Sequence, residues 1–207
     1  MDSTNTNFTA KGRVEEKETA EYATLLRKLM RMDEKCFNIL MEHITYKKFK
    51  EDTVIIRPGE LDFNLHIVLR GMGAVYCINK QGDCKYLYLP LPGYVLTNVH
   101  SIHKGEPSKY YFEMMKGSVA ATIDSKVLKD AAMYNPEVAS WYISILFRGL
   151  SKICERLEGF ISTDARERLI NLSTENPELF SHARKKQIAG FLGIDQSTLS
   201  RLLSAKA

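Results

Sequence analysis

The chain has 207 residues, 44% of them hydrophobic and 26% charged, with a formal net charge of +4. That length fits one large domain or two smaller ones, and the composition is ordinary for a globular protein. No apolar run approaches the roughly 18 residues a membrane-spanning helix needs, and the four cysteines, Cys36, Cys77, Cys84 and Cys154, form no C-x-x-C pair.

The first residues, Met1-Asp-Ser-Thr-Asn-Thr-Asn, are polar and lack the apolar core of a secretory signal. Residues 1–20 read as a flexible tail. The expectation is a cytoplasmic protein with reduced thiols and no contact with a membrane. From about Glu15 to Met41 the pattern is helical, with Leu25, Leu29, Met32 and Phe37 recurring among charges.

A strand-rich region runs from about His43 to Ile123. Thr53-Val-Ile-Ile-Arg precedes a Pro58-Gly59 turn, and Leu65-His-Ile-Val-Leu-Arg-Gly71 is a second strand. Gly73–Ile78 and Cys84–Leu89 flank the Gly-containing loop Asn79–Asp83 and read as a hairpin, with Cys77 and Cys84 as unrelated strand residues. Lys109–Met115 and Ser118–Ile123 follow as later strands. Short strands divided by Gly and Pro turns predict a sandwich or barrel. This unit is assigned to residues 21–130.

Residues 131–162 hold a long helix, running from about Pro136, a residue suited to the first helical turn, to Ser162. Leu146, Leu150, Ile153, Leu157 and Phe160 are spaced alternately four and three apart, a heptad-type seam. Such a face packs against the β-unit of its own chain, against a second copy, or against both. The dimer is the favoured reading, because symmetric dimers are the commonest oligomers.

Residues 163–207 form the last unit. Asp164 is placed to cap the helix Ala165–Leu172. Five basic residues, Arg184, Lys185, Lys186, Arg201 and Lys206, against the single acid Asp195 put the protein's entire net charge in residues 181–207. A neutral body with a basic tip suggests a surface that meets phosphate. Ile188, Ala189 and Leu192 share one side of a first short helix, and Leu199 and Leu202 share one side of a second. Gly193 lies between them, where a tight turn wants positive φ, and Asp195 suits the N-cap of the second helix. Two helices so joined cross steeply and present the second to a major groove. Its outward residues are Gln196, Ser197, Ser200 and Arg201. Gln pairs bidentately with adenine and Arg with guanine. Arg184, Lys185 and Lys186 are the expected phosphate contacts, which position without specifying. The plainer alternative is an amphipathic helix pair with a solvated basic face; the concentration of charge and the polar face weigh towards DNA.

Helix, β-barrel, long helix and helix-turn-helix in that order resemble the cyclic-AMP-receptor-protein/FNR (Crp/Fnr) family of bacterial transcription regulators. The resemblance covers nearly everything after about Ala20. Its most specific part is Gln187-Ile-Ala-Gly-Phe-Leu-Gly-Ile with Thr198-Leu-Ser-Arg201; Pro58-Gly59, Ile67-Val-Leu-Arg-Gly71 and Gly73-Ala-Val-Tyr resemble the family's effector-binding β-roll. It implies an α+β fold: a cyclic-nucleotide-binding-like β-roll (a double-stranded β-helix), a long dimerisation helix and a C-terminal helix-turn-helix domain. It also implies a homodimer on a two-fold-symmetric double-stranded DNA site, with RNA polymerase as a further partner.

Three departures qualify it. Thr97-Asn98 stands where the family's ribose-binding Gly-Glu is expected, and Ser108-Lys109 where its phosphate-binding Arg is expected. Lys does not reproduce a bidentate guanidinium, so these four residues read as a degenerate effector pocket and cyclic AMP is not expected. Lys104 and Lys109 remain open to another anion, though solvated loop lysines are the simpler reading. Ser197 replaces a Glu of the family's reading helix, whereas Arg201 matches its Arg. The sequence stops at Ala207, so the β-hairpin wing that often follows is not expected.

Other chemistry finds little support. His100 and His103 are three apart in a segment that reads as a Gly/Pro-rich loop without a third ligand, so no metal is expected. Cys36 alone does not make an iron–sulfur site. His66 reads as a satisfied strand histidine, with haem ligation left open. No Ser-His-Asp, paired-carboxylate or P-loop pattern marks an enzyme. The competing readings are a cupin-like small-molecule or metal-binding β-barrel with a helical interaction tail, and a module binding a protein through its long helix.

Overall fold

In the computed structural model, residues 16–204 are described. Helix α1 (Glu16–Met30) and helix α2 (Glu34–Met41) precede the strands. Where one helix is expected from about Glu15 to Met41 there are two. Arg31 turns the chain at φ 51°, and Asp33 caps α2 by accepting the Cys36 N–H at 2.7 Å. Of the expected tail, residues 1–15 lie outside the described residues; residues 16–20 belong to α1.

Eight strands follow: β1 (Thr45–Lys48), β2 (Thr53–Ile56), β3 (Asn64–Arg70), β4 (Gly73–Ile78), β5 (Cys84–Tyr88), β6 (Val95–Thr97), β7 (Tyr111–Met114) and β8 (Val119–Asp124). They form two antiparallel four-stranded sheets, ordered β1-β8-β3-β6 and β2-β7-β4-β5. Among the described residues, only β4 and β5 are paired strands consecutive in the chain; the other pairings join strands with further strands between them. Helix α3 (Val99–Lys104) interrupts the strands, and α4 (Ser125–Tyr134) follows them.

The central strands read as unbroken apolar runs because both sheet faces are covered. Along β3, Leu65, Ile67 and Leu69 pack under α1, α2 and α4, together with Tyr22, Leu26, Leu128 and Trp141. Val68 points the other way, between the sheets, where Phe49, Ile56, Val75, Leu96, Phe112, Met114 and Ala120 fill the interior. His66 shares that inner face. Its Nδ1 lies 2.9 Å from the hydroxyl of Thr122, its partner in register on β8. Its Nε2 is 3.4 Å from Asp62 Oδ1 and makes no well-aligned hydrogen bond. The outer face of the second sheet carries Ala74, Tyr76 and Tyr86 in a cluster that includes Leu179 from the C-terminal helices.

Helix α5 (Pro136–Ser162) begins at the expected proline, with Asn135 Oδ1 accepting the Glu137 and Val138 N–H groups at 3.0 and 3.2 Å. The stretch 131–134, assigned to the long helix, is instead the end of α4, because Asn135 leaves helical geometry at φ −130°, ψ 107°. No helix among the described residues is long and apolar enough to cross a membrane.

The β3–β4 turn shows how tightly the roll is closed. Gly71 adopts φ +75°, and a Cβ there would stand 2.8 Å from the Ser118 Cα. The Ser118 hydroxyl is fully buried, accepts the Met72 N–H at 2.9 Å and donates to the Met72 carbonyl at 2.9 Å. Ser118→Ala leaves a buried N–H without its partner. Urea unfolding is expected to show a loss of roughly 1–3 kcal/mol; an unchanged midpoint would rule out this hydroxyl as the closure of the turn.

Candidate nucleic-acid interface

Four helices follow α5 among the described residues: α6 (Ala165–Glu175), α7 (Leu179–His182), α8 (Lys185–Leu192) and α9 (Gln196–Ser204). The start of α6 is closed reciprocally by Asp164 and Glu167. At the start of α8, the Gln187 side-chain oxygen accepts the Arg184 N–H at 2.9 Å. Gly193 ends α8 at φ +74°, and a Cβ there would stand 2.7 Å from the Phe160 ring. Leu169, Ile188, Ala189, Leu192 and Leu199 form the small core, with Leu202 packed against its edge. The near-complete burial of Ala189 reflects the close crossing of α8 and α9.

Asp195 caps α9. Its Oδ1 accepts the Thr198 N–H and the Ser197 hydroxyl, both at 2.7 Å, and its Oδ2 accepts the Thr198 hydroxyl at 3.1 Å. The Thr198 backbone N–H first, then the Ser197 hydroxyl, hold its carboxyl down at about 2. Opposite Leu199, the side chains of Gln196, Ser197, Ser200 and Arg201 are all exposed. Arg201 leans back along the helix, donating to the Thr198 hydroxyl at 3.0 Å. Lys185 and Lys186 are exposed at the start of α8. Arg184 is exposed too, but its guanidinium is paired with Asp52 in the β1–β2 turn. Burial pushes the Asp52 carboxyl up; the Lys116 N–H and Arg184 outweigh it and leave it below the usual range.

The residues that fix α8 in place are ones the sequence does not single out. Gly190 lies against β5, where a Cβ would come within 2.8 Å of the Tyr86 ring and 3.0 Å of the Cys84 carbonyl. A glycine inside a helical pattern is itself a sign of such close approach. Gln187 is buried, with its amide nitrogen 3.0 Å from the Met115 sulfur. Arg156 of α5 donates to the Tyr86 carbonyl at 2.8 Å and the Phe191 carbonyl at 2.6 Å, and lies 3.9 Å from the Phe191 ring centroid. Burial, then the nearby charge of Arg168, lower its pKa to about 10.

Three of the four residues of the degenerate pocket bond groups of this chain. Thr97 donates to the Asn64 carbonyl at 3.0 Å. Asn98 is buried and donates to the Ser101 hydroxyl at 2.5 Å, which in turn donates to the Glu106 carbonyl at 2.9 Å. Ser108 donates to the Tyr110 carbonyl at 2.7 Å and accepts the Tyr110 N–H at 3.0 Å. Lys109 and Lys104 are exposed. The His100–His103 segment is not the loop expected from its Gly and Pro neighbours but helix α3, which Gly105 ends at φ +69°. His100 stands 3.9 Å from a Glu106 carboxylate oxygen, and His103 is exposed. Asp33, Cys36 and Glu137 are the one group of potential metal ligands that come together among the described residues. They already bond one another or Asn135: Glu137 accepts the Asp33 N–H at 2.8 Å, and Asn135 donates to the Cys36 sulfur at 3.2 Å.

On α5, Val138 and Trp141 are buried against the roll, whereas Leu146, Leu150, Ile153, Leu157 and Phe160 are all exposed in the single chain. A second row with the same alternation of four and three, Ile143, Phe147, Leu150, Cys154, Leu157 and Ile161, is also exposed, up to 78% at Ile161. Phe160 is the least exposed of the first row, at 41%; its ring is in contact with the guanidinium groups of both Arg156 and Arg168.

No protein-family model matches the sequence, and no curated protein sequence matches it. Solved structures match it in fold. FixK2 from Bradyrhizobium japonicum aligns with a TM-score of 0.65 at 19% identity, covering 78% of this chain and 83% of that one. The c-di-GMP responsive global regulator CLP from Xanthomonas campestris aligns at 0.67 and 14% identity, covering 84% and 91%. A protein from Eubacterium rectale assigned to the Crp/Fnr family of transcriptional regulators aligns at 0.65 and 15% identity, covering 89% and 87%. The chain therefore has the α+β fold of these regulators, two antiparallel sheets wound into a roll with flanking and following helices.

Proposed function

We propose that this chain is a homodimeric, sequence-specific DNA-binding transcription regulator of the Crp/Fnr type, with α8 and α9 as its helix-turn-helix. One observation carries the reading: α9 buries Leu199 and half-buries Leu202 on one side and leaves Gln196, Ser197, Ser200 and Arg201 open on the other, beside the basic tip. Gln196 and Arg201 supply the side-chain chemistry that reads base edges, and Lys185 and Lys186 meet the phosphates. Arg184 joins them only by giving up Asp52. Double-stranded DNA with two-fold symmetry is the partner, and RNA polymerase a second one.

Fluorescence anisotropy against genomic fragments at two salt concentrations tests this. Specific binding that weakens with salt is expected. Arg201→Ala is expected to lose roughly 1–3 kcal/mol of discrimination at a single base pair, whereas Lys185→Ala weakens binding to all sequences alike. Equal losses by Arg201→Ala on specific and random DNA would remove its role as a base reader.

The dimer is proposed along α5, in parallel, about a two-fold axis. In that arrangement residues of one seam meet their own copies. Cys154 lies in the more exposed row, so the two copies come within the roughly 4.4–6.8 Å Cα separation a disulfide requires. Mild oxidation is expected to give a cross-linked dimer that Cys154→Ser abolishes. A monomer by sedimentation, with no cross-link, counts against the pairing.

The roll is proposed not to take a cyclic nucleotide, because Thr97, Asn98 and Ser108 already bond this chain's own groups and apolar side chains fill the interior. Titration calorimetry with cyclic AMP is expected to show no tight binding; submicromolar affinity would refute the proposal.

A further inference from the structure

Arg156 and Arg168 meet where α5, α6 and α8 converge. Among the described residues neither guanidinium forms an ion pair with a carboxylate. Arg156 bonds the Phe191 and Tyr86 carbonyls, and Arg168 bonds the Thr163 and Leu192 carbonyls. Both lie over one ring, 4.8 and 4.7 Å from the Phe160 centroid. Two like charges thus lie against one aromatic ring, each with further N–H groups to offer. A cleft of about 150 Å³ opens beside them. Phe191 forms part of its wall, as do Asn171 and Asn176, whose side-chain amides have no protein partner among the described residues. Of the other charged groups lining it, Lys152 is held by Glu155 at 2.7 Å, and Glu175 is exposed. Both Glu155 and Glu175 line the cleft, yet neither carboxylate pairs with Arg156 or Arg168.

We propose that this cleft binds a small, multiply charged oxyanion, a phosphate- or carboxylate-bearing metabolite, between Arg156 and Arg168. Planar guanidinium groups match oxyanions through paired, charge-assisted hydrogen bonds, and an anion there relieves the repulsion between them. The site lies outside the roll, at the junction that holds α8. Because Arg156 also holds the Phe191 and Tyr86 carbonyls, anion occupancy and the docking of α8 are linked, and linkage is reciprocal.

Titration calorimetry on the full chain, at constant ionic strength and without DNA, tests this with inorganic pyrophosphate and with citrate as probes. Saturable binding of at least one probe is expected. Pyrophosphate alone assigns the site to phosphates, and citrate alone assigns it to carboxylates. Arg168→Gln is expected to weaken binding ~10–100-fold, the loss of charge-assisted hydrogen bonds, with unchanged circular dichroism. Arg168→Lys, which keeps the charge but not the fork, serves if that variant does not fold and is expected to bind more weakly than the parent. Arg201→Ala is expected to bind as the parent does, which separates this cleft from the DNA-reading surface. No saturable binding of either probe, or a loss that follows Arg201→Ala instead of Arg168→Gln, overturns the proposal.

Discussion

The guanidinium of Arg156 holds three parts of the molecule together. It projects from α5, bonds the Tyr86 carbonyl on β5 and the Phe191 carbonyl at the end of α8, and stacks on Phe191. Its cost is a partly buried charge, visible in a pKa lowered to about 10. Carbonyl oxygens and aromatic faces repay part of that cost, since Arg156 forms no ion pair with a carboxylate among the described residues. Gly190, Gln187, the Phe191 side chain and the Arg184–Asp52 pair add further contacts between α8 and the roll.

The docking of α8 also decides which surfaces are open. Its buried side faces β5 and the core of the last four helices, so α9 is displayed outward by its attachment to a helix that is itself fixed. The Arg184–Asp52 pair belongs to this contact. A residue that composition alone would assign to phosphate is partly committed to the roll, whereas Lys185 and Lys186, one and two positions on, are not. Where the anchoring helix sits therefore sorts three adjacent basic residues into different roles.

The roll has turned inward on itself. Its inner face is filled by apolar side chains and by the His66–Thr122 pair. Asn98 donates to the Ser101 hydroxyl at the start of α3, and Ser108 braces the turn before β7. The roll is covered by helices on one sheet and by the C-terminal helices on the other. Arg156 and Arg168, which bond carbonyl oxygens, lie at the seam between the roll and the C-terminal helices.

Local chemistry that acts within a few residues was legible in the sequence. The Pro136 start of α5, the Asp164 and Asp195 caps, the Gly193 turn and the inward Leu199 all depend on neighbours along the chain. The polar face of α9 follows from helical spacing once that helix is granted. Tertiary structure alone decided what depends on distant partners. Strands β1 and β6 are short and carry no clear alternation, so only pairing with β8 and β3 makes them strands. Helix α3 forms inside a Gly/Pro-rich stretch because Asn98 and Ser101 are buried and bonded there. The heptad row first read on α5 overlaps a second, more exposed one, and spacing cannot separate rows that share Leu150 and Leu157. Arg156 is one arginine among many in the sequence. What distinguishes it is two carbonyls, 70 and 35 residues away, which only the folded chain brings to it.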